Sequence, residues 1–208
     1  MPSKEIYFSV DIETDGSIPG PYSMRSVGIC VSTETEFCVD TFYAVLQPLP
    51  HSTVEPDVLA WWRSTPENQE QWAKLQVNQE PAEAAMHRLA DWIQMVGEKH
   101  KRLPVCVASP SGYDYTFLYW YLIRFLGKSP FQHRCLDIRS YTMPLFGRGY
   151  LQSGKETLPK IFFSPDLPHT HNALDDAKEQ GWLFFQLMQY SRRIRELLKD
   201  ISVPSLGN

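Results

Sequence analysis

The stretch IYFSVDIETDG, residues 6–16, decides the fold. Apolar and polar residues alternate along its second half, which is typical of a β-strand, and the Asp-Gly pair at its end predicts a turn. Because side chains alternate between the two faces of a strand, Asp11 and Glu13 lie on the same face. The stretch therefore predicts a strand over residues 6–13 that presents two neighbouring carboxylates.

A second pattern lies far along the chain, where His171 is followed five residues later by Asp176. It supplies an imidazole and a third carboxylate around the predicted start of a helix. Carboxylates that converge on one place repel each other, and burial disfavours their charged forms, unless cations neutralise them. If the fold brings Asp11, Glu13 and Asp176 together, the pattern predicts divalent metal ions between them.

The chain has 208 residues, of which 43% are hydrophobic, so it is long enough to bury a sizeable core. No linker or repeat divides it, which predicts a single domain over residues 1–208 with residues 200–208 as a frayed C-terminal tail. No apolar run is long enough to span a bilayer, so no membrane association is expected. The first residues lack the apolar core of a signal peptide.

The net charge of −4 argues against broad electrostatic adhesion to nucleic acid. It is compatible with an enzyme that grips a short strand end, because bound metal ions would reverse the local sign. The chain contains four cysteines without C-x-x-C spacing: Cys30, Cys38, Cys106 and Cys135. Reduced thiols and a cytoplasmic location are the expectation.

The order of predicted elements favours an α/β fold. Strands are predicted over 6–13, 26–32, 36–46, 105–108 and 135–138, and helices within 55–98, over 115–125, up to residue 145, and over 172–198 with a break left open. Residues 147–170 read as a loop with one helical turn at 156–161. The alternation of strands and helices after residue 100 predicts a mixed sheet flanked by helices, with the first strand in its centre.

Three motifs together resemble those of DEDDh-type 3′–5′ exonucleases in the DnaQ-like, ribonuclease H-like superfamily. They are VDIETDG at 10–16, SGYD at 111–114 and HNALDDA at 171–177. Their order and separation match the three exonuclease motifs of that family, and they span nearly the whole chain. The resemblance implies a ribonuclease H-like fold, and it points to the exoribonuclease-like branch.

The resemblance also implies a role for each motif residue. Asp11 would bridge two Mg²⁺ or Mn²⁺ ions, with Glu13 and Asp176 completing one site and Asp114 holding the other through water. Such a pair of ions stabilises both the attacking and the leaving oxygen of an in-line displacement. His171 would be the general base, since imidazole titrates near neutral pH.

The implied product is a nucleoside 5′-monophosphate released from the 3′ end of single-stranded RNA or DNA, with RNA slightly favoured. Thr14 is expected to contact the terminal nucleotide through its backbone. Lys155 and Lys160, in the loop that leads to His171, are expected to contact the phosphate backbone. Other basic residues that could follow a strand are Arg148 in the same loop and, outside it, Arg25 and Arg63, as well as the group Arg192, Arg193 and Arg195.

The second motif departs from the family pattern. Many relatives carry an asparagine where this chain has Pro110, and a phenylalanine where it has Tyr113. A proline cannot replace the hydrogen bonds of an asparagine side chain. Ser109 or Ser111 is expected to take that role, so Ser111 is a further candidate for substrate binding.

Simpler interpretations remain open for individual residues. Asp114 is also a good helix N-cap, and Asp175 is a good capping residue or a solvated carboxylate. Asp176 is preferred over Asp175 as the ligand because the family spacing requires it. His169 and His171 can be read as a zinc-binding H-x-H pair, but no third histidine or cysteine is close in sequence.

Two tryptophans, two alternative functions and the oligomeric state complete the expectations. Trp61 and Trp62 are predicted to divide between the core and the surface, where one could stack on a base. The chain could instead be a phosphodiesterase for short oligonucleotides or small nucleotides, or a catalytically silent nucleic-acid-binding scaffold. Loss of a ligand residue would mark the scaffold, and none is lost. The family resemblance leaves homodimerisation open.

Overall fold

A computed structural model of the chain describes residues 4–199, so the tail predicted over 200–208 lies outside the described residues. Five strands form one sheet: β1 (Glu5–Thr14), β2 (Met24–Ser32), β3 (Asp40–Val45), β4 (Leu103–Ala108) and β5 (Cys135–Asp137). Their order across the sheet is β3-β2-β1-β4-β5. The strand that carries Asp11 and Glu13 is central, as predicted.

The sheet is mixed. The first three strands pair antiparallel as a meander, whereas β1, β4 and β5 run parallel. Parallel strands require a crossover, and helices supply it before β4 and before β5. Because β1 and β4 run in the same direction, their carboxyl ends meet at one edge of the sheet, where binding sites of open α/β sheets form. This confirms the α/β fold with a mixed, helix-flanked sheet.

Six helices accompany the sheet in residues 4–199: α1 (Pro56–Trp62), α2 (Pro66–Lys74), α3 (Ala82–His100), α4 (Ser111–Leu126), α5 (Ile138–Phe146) and α6 (Ala173–Leu198). Phe8 and Val10 of β1 belong to the same core as Leu89 of α3 and Phe117 of α4. Helix α6 packs on β1 and β2. None of these helices has the length and apolarity that crossing a bilayer demands.

Gly28 of β2 allows α6 to lie very close to the sheet. It is the direct partner of Asp11 in the β1–β2 pairing. A Cβ atom at this position would overlap the backbone of Ala173 and Leu174, where α6 begins. The first turn of α6 therefore rests on the sheet beside Asp11.

The sequence placed the start of β3 too early, at residue 36. The Oγ1 atom of Thr33 accepts hydrogen bonds from the backbone N–H groups of Thr35 (3.2 Å) and Glu36 (3.0 Å), and Cys38 has a φ of 54°. This side-chain-capped turn occupies residues that the β-rich composition assigned to the strand.

The start of α4 and the long loop also differ from the prediction, and the question of a break in α6, which the sequence left open, is answered. Helix α4 begins at Ser111 rather than at residue 115, because the extended Pro110 serves as its N-cap and the following glycine is tolerated in the first turn. Helix α6 runs for 26 residues without a break. Between 147 and 170 there are three 3₁₀ turns, Tyr150–Gln152, Lys155–Thr157 and Lys160–Phe162, where one helical turn was predicted.

Candidate active site

Asp11 and Glu13 lie on the face of β1 that α6 covers. Their neighbours Val10 and Ile12 point the other way, into the main core. One carboxylate oxygen each from Asp11, Glu13 and Asp176 lies within 4.8 Å of the other two. The first and third motifs, 160 residues apart in sequence, thus meet in one carboxylate cluster.

Asp176 reaches this cluster from the first turn of α6. Its side chain is 2% exposed, whereas that of Asp175 is 52% exposed and pairs with Lys178 at 3.6 Å. The N-cap of α6 is Asn172, whose Oδ1 accepts the N–H groups of Leu174 and Asp175. The side-chain cap therefore comes from Asn172, not from Asp175, because the helix begins one residue after the asparagine.

Asp114 approaches the cluster from the first turn of α4. Since Pro110 is the N-cap residue of this helix, Asp114 is free of the capping role considered for it. Its Oδ2 atom is buried and has no hydrogen-bond partner. A buried carboxylate oxygen without a donor is costly, so this atom is suited to accept a cation.

Burial and mutual repulsion disfavour the charged forms of the carboxylates in the cluster. Desolvation raises the pKa of Asp11 and of Glu13 well above the ordinary carboxyl range, and the surrounding carboxylates raise it further. Desolvation also raises the pKa of Asp114 to about 7, against the opposing effect of Lys155. These carboxyl groups favour protonation unless positive charge is added. The donor set, all hard oxygen atoms, fits divalent cations such as Mg²⁺ and Mn²⁺.

Asp176 is the exception among these carboxylates, because hydrogen bonds from the protein stabilise its charged form. Burial acts to raise the pKa of Asp176, but hydrogen bonds from His169 and from the backbone N–H groups of Thr170 (2.7 Å) and His171 (2.9 Å) together lower it. His169 contributes through Nδ1, which lies 3.0 Å from Asp176 Oδ2. The segment before α6 thus holds this carboxylate ionised and in one orientation.

His171 lies at the rim of the cluster, half-buried, with a φ of 58°. The edge of its ring meets the ring of Trp61 at a centroid distance of 4.9 Å and that of His169 at 4.5 Å. Burial, followed by the neighbouring His169, lowers the pKa of His171 from its ordinary value of 6.5, against the opposing charge of Asp176. The imidazole is therefore neutral at pH 7 and able to accept a proton.

Lys155 is close to the cluster, whereas Lys160 is not joined to it. Lys155 acts electrostatically on both Asp11 and Asp114, and its ammonium group forms an ion pair with Glu179 of α6. Lys160 is exposed on the third 3₁₀ turn. No contact found within residues 4–199 connects its side chain to the carboxylates.

Thr14 and Tyr113 belong to the wall of a cleft beside Glu13. The hydroxyls of Thr14 and Tyr113 lie 2.6 Å apart and share a hydrogen bond, and they lie 2.9 and 3.0 Å from the carbonyl of Gly16, which accepts from the other proton. The cleft has a volume of about 360 Å³ and is also lined by Trp61. This volume is within the range of small-ligand sites, so the cleft can take one nucleotide.

Ser111 begins α4 and is anchored from the neighbouring strand. Its backbone N–H donates to Asp137 Oδ2 at 3.0 Å, while Asp137 Oδ1 accepts the N–H of Ser140 at 2.7 Å. Asp137 thus ties the starts of α4 and α5 to the end of β5, and it faces Asp114 closely enough to raise the pKa of that carboxyl.

Two expectations about other side chains are decided by burial. Trp62 is 1% exposed and Trp61 is 40% exposed, which confirms that one tryptophan is in the core and the other at the surface. Arg25 was considered as a phosphate contact, and this was wrong. It is buried and pairs with the buried Asp15 at 3.6 Å, so its charge is already balanced inside the protein.

Sequence reasoning missed several contacts of the site. It did not foresee the hydrogen bond of His169 to Asp176, or the contact between Trp61 and His171, because these residues are close only in the folded chain. The position of Glu179 near the carboxylate cluster could have been predicted from its spacing. It lies three residues after Asp176, so the two share a face of α6.

The mixed, helix-flanked sheet and the carboxylate cluster agree with the fold and motifs of DEDDh-type exonucleases. The residues that correspond to the four carboxylates and one histidine of that class are Asp11, Glu13, Asp114, His171 and Asp176. The sequence of residues 7–188 matches the protein family described as the 3′–5′ exoribonuclease Rv2179c-like domain. The chain belongs to this family. The protein is a 3′–5′ exonuclease, that is, a phosphodiester hydrolase.

Relatives and solved structures agree with this assignment. The 3′–5′ DNA exonuclease Cap18 of Escherichia coli is 32% identical over 181 residues, which cover 87% of this chain and 90% of Cap18. The nuclease domain of 3′hExo, a DEDDh family member bound to rAMP, has a TM-score of 0.64 at 13% identity and covers 89% of this chain and 91% of that one. Escherichia coli exonuclease I, in complex with a dT13 oligonucleotide, has a TM-score of 0.61 at 12% identity and covers 93% of this chain and 43% of that one. At these identities the two structures share the fold.

Proposed function

We propose that the protein is a metal-dependent 3′–5′ exonuclease that releases nucleoside 5′-monophosphates from single-stranded 3′ ends. The observation that carries this proposal is the carboxylate cluster, in which raised pKa values and the unpartnered Asp114 Oδ2 call for cations. Asp11, Glu13, Asp114 and Asp176 would hold two Mg²⁺ or Mn²⁺ ions. Such ions supply Lewis acidity toward the scissile phosphate and lower the pKa of bound water.

His171 is proposed as the general base. Its pKa is lowered, so at neutral pH it is in the form that accepts a proton from the attacking water. The rings of Trp61 and His169 both contact the imidazole nearly at right angles, so its position beside Asp176 is restrained by packing. The backbone N–H of His171 meanwhile orients Asp176, which links the base to a metal ligand.

The cleft beside Glu13 is the proposed site of the terminal nucleotide. Thr14 would contact the nucleotide through its backbone, and Trp61 offers an exposed ring beside it. Lys155, already near Asp11 and Asp114, is the proposed contact for the scissile phosphate. Ser111 and Lys160 are proposed to contact nucleotides further from the end. The exposed ring of Trp61 on the wall of the cleft suits stacking on an unpaired terminal base, which supports a single-stranded end as the substrate.

RNA is proposed as the preferred polymer, although the matching family and the relative Cap18 are described with different polymers. The matching family is described as an exoribonuclease domain, whereas the relative Cap18 is described as a DNA exonuclease. Glu55 lies on the wall of the cleft and could accept a hydrogen bond from a ribose 2′-hydroxyl. Its carboxylate already accepts the N–H of Ser17 at 2.7 Å, which fixes its position.

The test uses 3′ ends that differ only in the sugar. Labelled single-stranded RNA, DNA, and RNA with one terminal 2′-deoxynucleotide are incubated with Mg²⁺ or Mn²⁺, and products are resolved by length. We expect stepwise shortening from the 3′ end, fastest for RNA and slower for the first step of the deoxy-terminated strand. Faster shortening of DNA would overturn the RNA preference. No shortening of any oligomer would overturn the activity itself. If a dinucleotide incubated in parallel were nevertheless cleaved, the small-substrate phosphodiesterase would be favoured.

Removal of the Trp61 ring should weaken binding of the strand end. A stacked base contributes about 1–3 kcal/mol, so Trp61→Ala is expected to raise KM more than it lowers kcat. Trp61→Phe retains an aromatic face and should restore most of the affinity. Steady-state kinetics on one oligomer measure both constants. An unchanged KM in Trp61→Ala would remove this residue from the substrate site.

A further inference from the structure

His169, His171 and Asp176 form a second cluster of possible metal ligands that the exonuclease reaction does not require as a unit. One ligand atom from each lies within 4.8 Å of the other two. The Nδ1 atom of His169 is 3.0 Å from Asp176 Oδ2, and the two imidazole rings have a centroid distance of 4.5 Å. Asp176 is thus shared between the carboxylate cluster and a pair of histidines.

The donor atoms of the two clusters differ in chemistry. Asp11 and Glu13 offer oxygen atoms, which suit Mg²⁺ and Mn²⁺, whereas two imidazoles with one carboxylate suit Zn²⁺ and other late first-row metals. Because Zn–N and Zn–O bonds are about 2.0–2.2 Å long, the ligand atoms of a tetrahedral zinc site lie about 3.3 Å apart. The separation of His169 Nδ1 and Asp176 Oδ2 is close to this value without an ion.

The surroundings permit the small adjustment that a metal would need. His169 is half-exposed and lies in a segment without regular secondary structure, so its ring can turn. Asp176 is held by the N–H groups of Thr170 and His171. These hydrogen bonds orient its carboxylate toward the histidines, as outer partners do in zinc sites.

We propose that His169, His171 and Asp176 bind one Zn²⁺ ion at a site that shares only Asp176 with the Mg²⁺ or Mn²⁺ ligands Asp11, Glu13 and Asp114, with a fourth position left for water. The sequence offered only the two histidines, and the fold supplies the third ligand. Zinc at this site engages the imidazole of His171 and one carboxylate of the nuclease centre. Inhibition of the exonuclease follows, a consequence that rests on the proposed role of His171 as the base.

Zinc binding is measured first, without substrate. The purified chain is titrated with Zn²⁺ in competition with a chromophoric chelator, and with Co²⁺, whose visible absorption reports tetrahedral coordination by nitrogen and oxygen. We expect one ion per chain, with affinity at least 10-fold weaker in His169→Ala and in His171→Ala. His133→Ala, which removes an exposed histidine elsewhere, should bind as the unchanged chain does. Equal affinity in His169→Ala would overturn the proposal.

Asp11→Asn locates the ion. It alters the carboxylate cluster but leaves the three proposed zinc ligands in place, so zinc affinity should be retained. If Asp11→Asn weakened zinc binding as much as His169→Ala does, zinc would occupy the nuclease centre and the separate site would be disproved.

Inhibition is measured second. In assays with Mn²⁺, the rate of each variant is expressed as a fraction of its own zinc-free rate. The Zn²⁺ concentration that halves this rate is then compared between variants. His169→Ala should require at least 10-fold more zinc than the unchanged chain, and His133→Ala should require the same amount. Equal sensitivity of His169→Ala would refute inhibition through this site. Absence of any nuclease activity would refute the proposed function while the binding measurement still decided the zinc site.

Discussion

Asp11→Asn is expected to lower exonuclease turnover by more than about 100-fold, since mutation of even the outer partners of metal sites costs 10- to 100-fold. Asp11 is the residue on which the other carboxylates converge, because the charges of Asp114, Glu13 and Asp176 all act on it. Replacing one of its oxygens by an amide removes both charge and a ligand atom. Single-turnover rates on a labelled oligomer, at saturating Mg²⁺ or Mn²⁺, measure the loss.

Asp91→Asn is the matched control for this variant. Asp91 lies exposed on α3, so its replacement changes the net charge equally without touching the site. Its turnover should equal that of the unchanged chain. If Asp11→Asn kept turnover within a few-fold of Asp91→Asn, Asp11 would not be a metal ligand.

The same Asp11→Asn variant should be more stable than the unchanged chain when divalent ions are chelated. The folded pKa of Asp11 lies above its ordinary value of 3.8, so between those two values the folded state binds more protons than the unfolded state. Stability therefore falls as pH rises through this window. The pKa of Asp114, about 7, places part of the loss near neutral pH.

Thermal melting in EDTA tests this expectation. At pH 7.5 Asp11→Asn should melt at a higher temperature than the unchanged chain, and the difference should shrink as pH falls and vanish only well below the ordinary value of 3.8, where the carboxyl is protonated in both states. Added Mg²⁺ should raise the Tm of the unchanged chain more than that of the variant. A variant less stable than the unchanged chain at pH 7.5 in EDTA would contradict the electrostatic account of the cluster.

His171→Ala is expected to lower kcat near neutral pH by about 100- to 10,000-fold, the range of general acid–base contributions. The four carboxylates remain in this variant, so binding of Mn²⁺ should be largely retained. Isothermal titration calorimetry would measure this. In the unchanged chain, the rate should fall only at pH values below the ordinary 6.5 of histidine, because the pKa of His171 is lowered and the imidazole must be neutral to act.

His87→Ala provides the comparison for that variant, since His87 is exposed on α3, away from the site. Its pH–rate profile should overlay that of the unchanged chain. His171→Ala should lose the acidic limb of the profile along with the rate. A His171→Ala enzyme that kept full activity and the same acidic limb would show that another group accepts the proton.

The sequence was sufficient for those parts of the fold that depend on local pattern. The central position of β1 and the α/β class followed from alternating residues and from the order of strands and helices. The early start predicted for β3 failed because a turn built on Thr33 competes with strand propensity. The late start predicted for α4 failed because Asp114 is a good N-cap residue by type, whereas the N-cap is Pro110 and the helix begins at Ser111.

The site was predictable where motifs carry it and not where tertiary contacts do. Asp11, Glu13 and Asp176 were chosen from spacing, and the folded chain brings them together. The burial of Arg25 could not be foreseen, because a buried and an exposed arginine look the same in a sequence. The position of His169 beside Asp176 likewise depends on how the chain enters α6.

Gly28 gives a practical marker for finding active relatives. The residue lies outside all three motifs, yet a side chain there would collide with the start of α6 and lift Asp176 away from Asp11. A genome survey that scores only acidic and histidine positions would accept a chain with a bulky residue at this place. The survey should also require a glycine at the position that pairs with Asp11 across β1 and β2. This criterion would separate chains that can assemble the carboxylate cluster from inactive chains that only retain the motif residues.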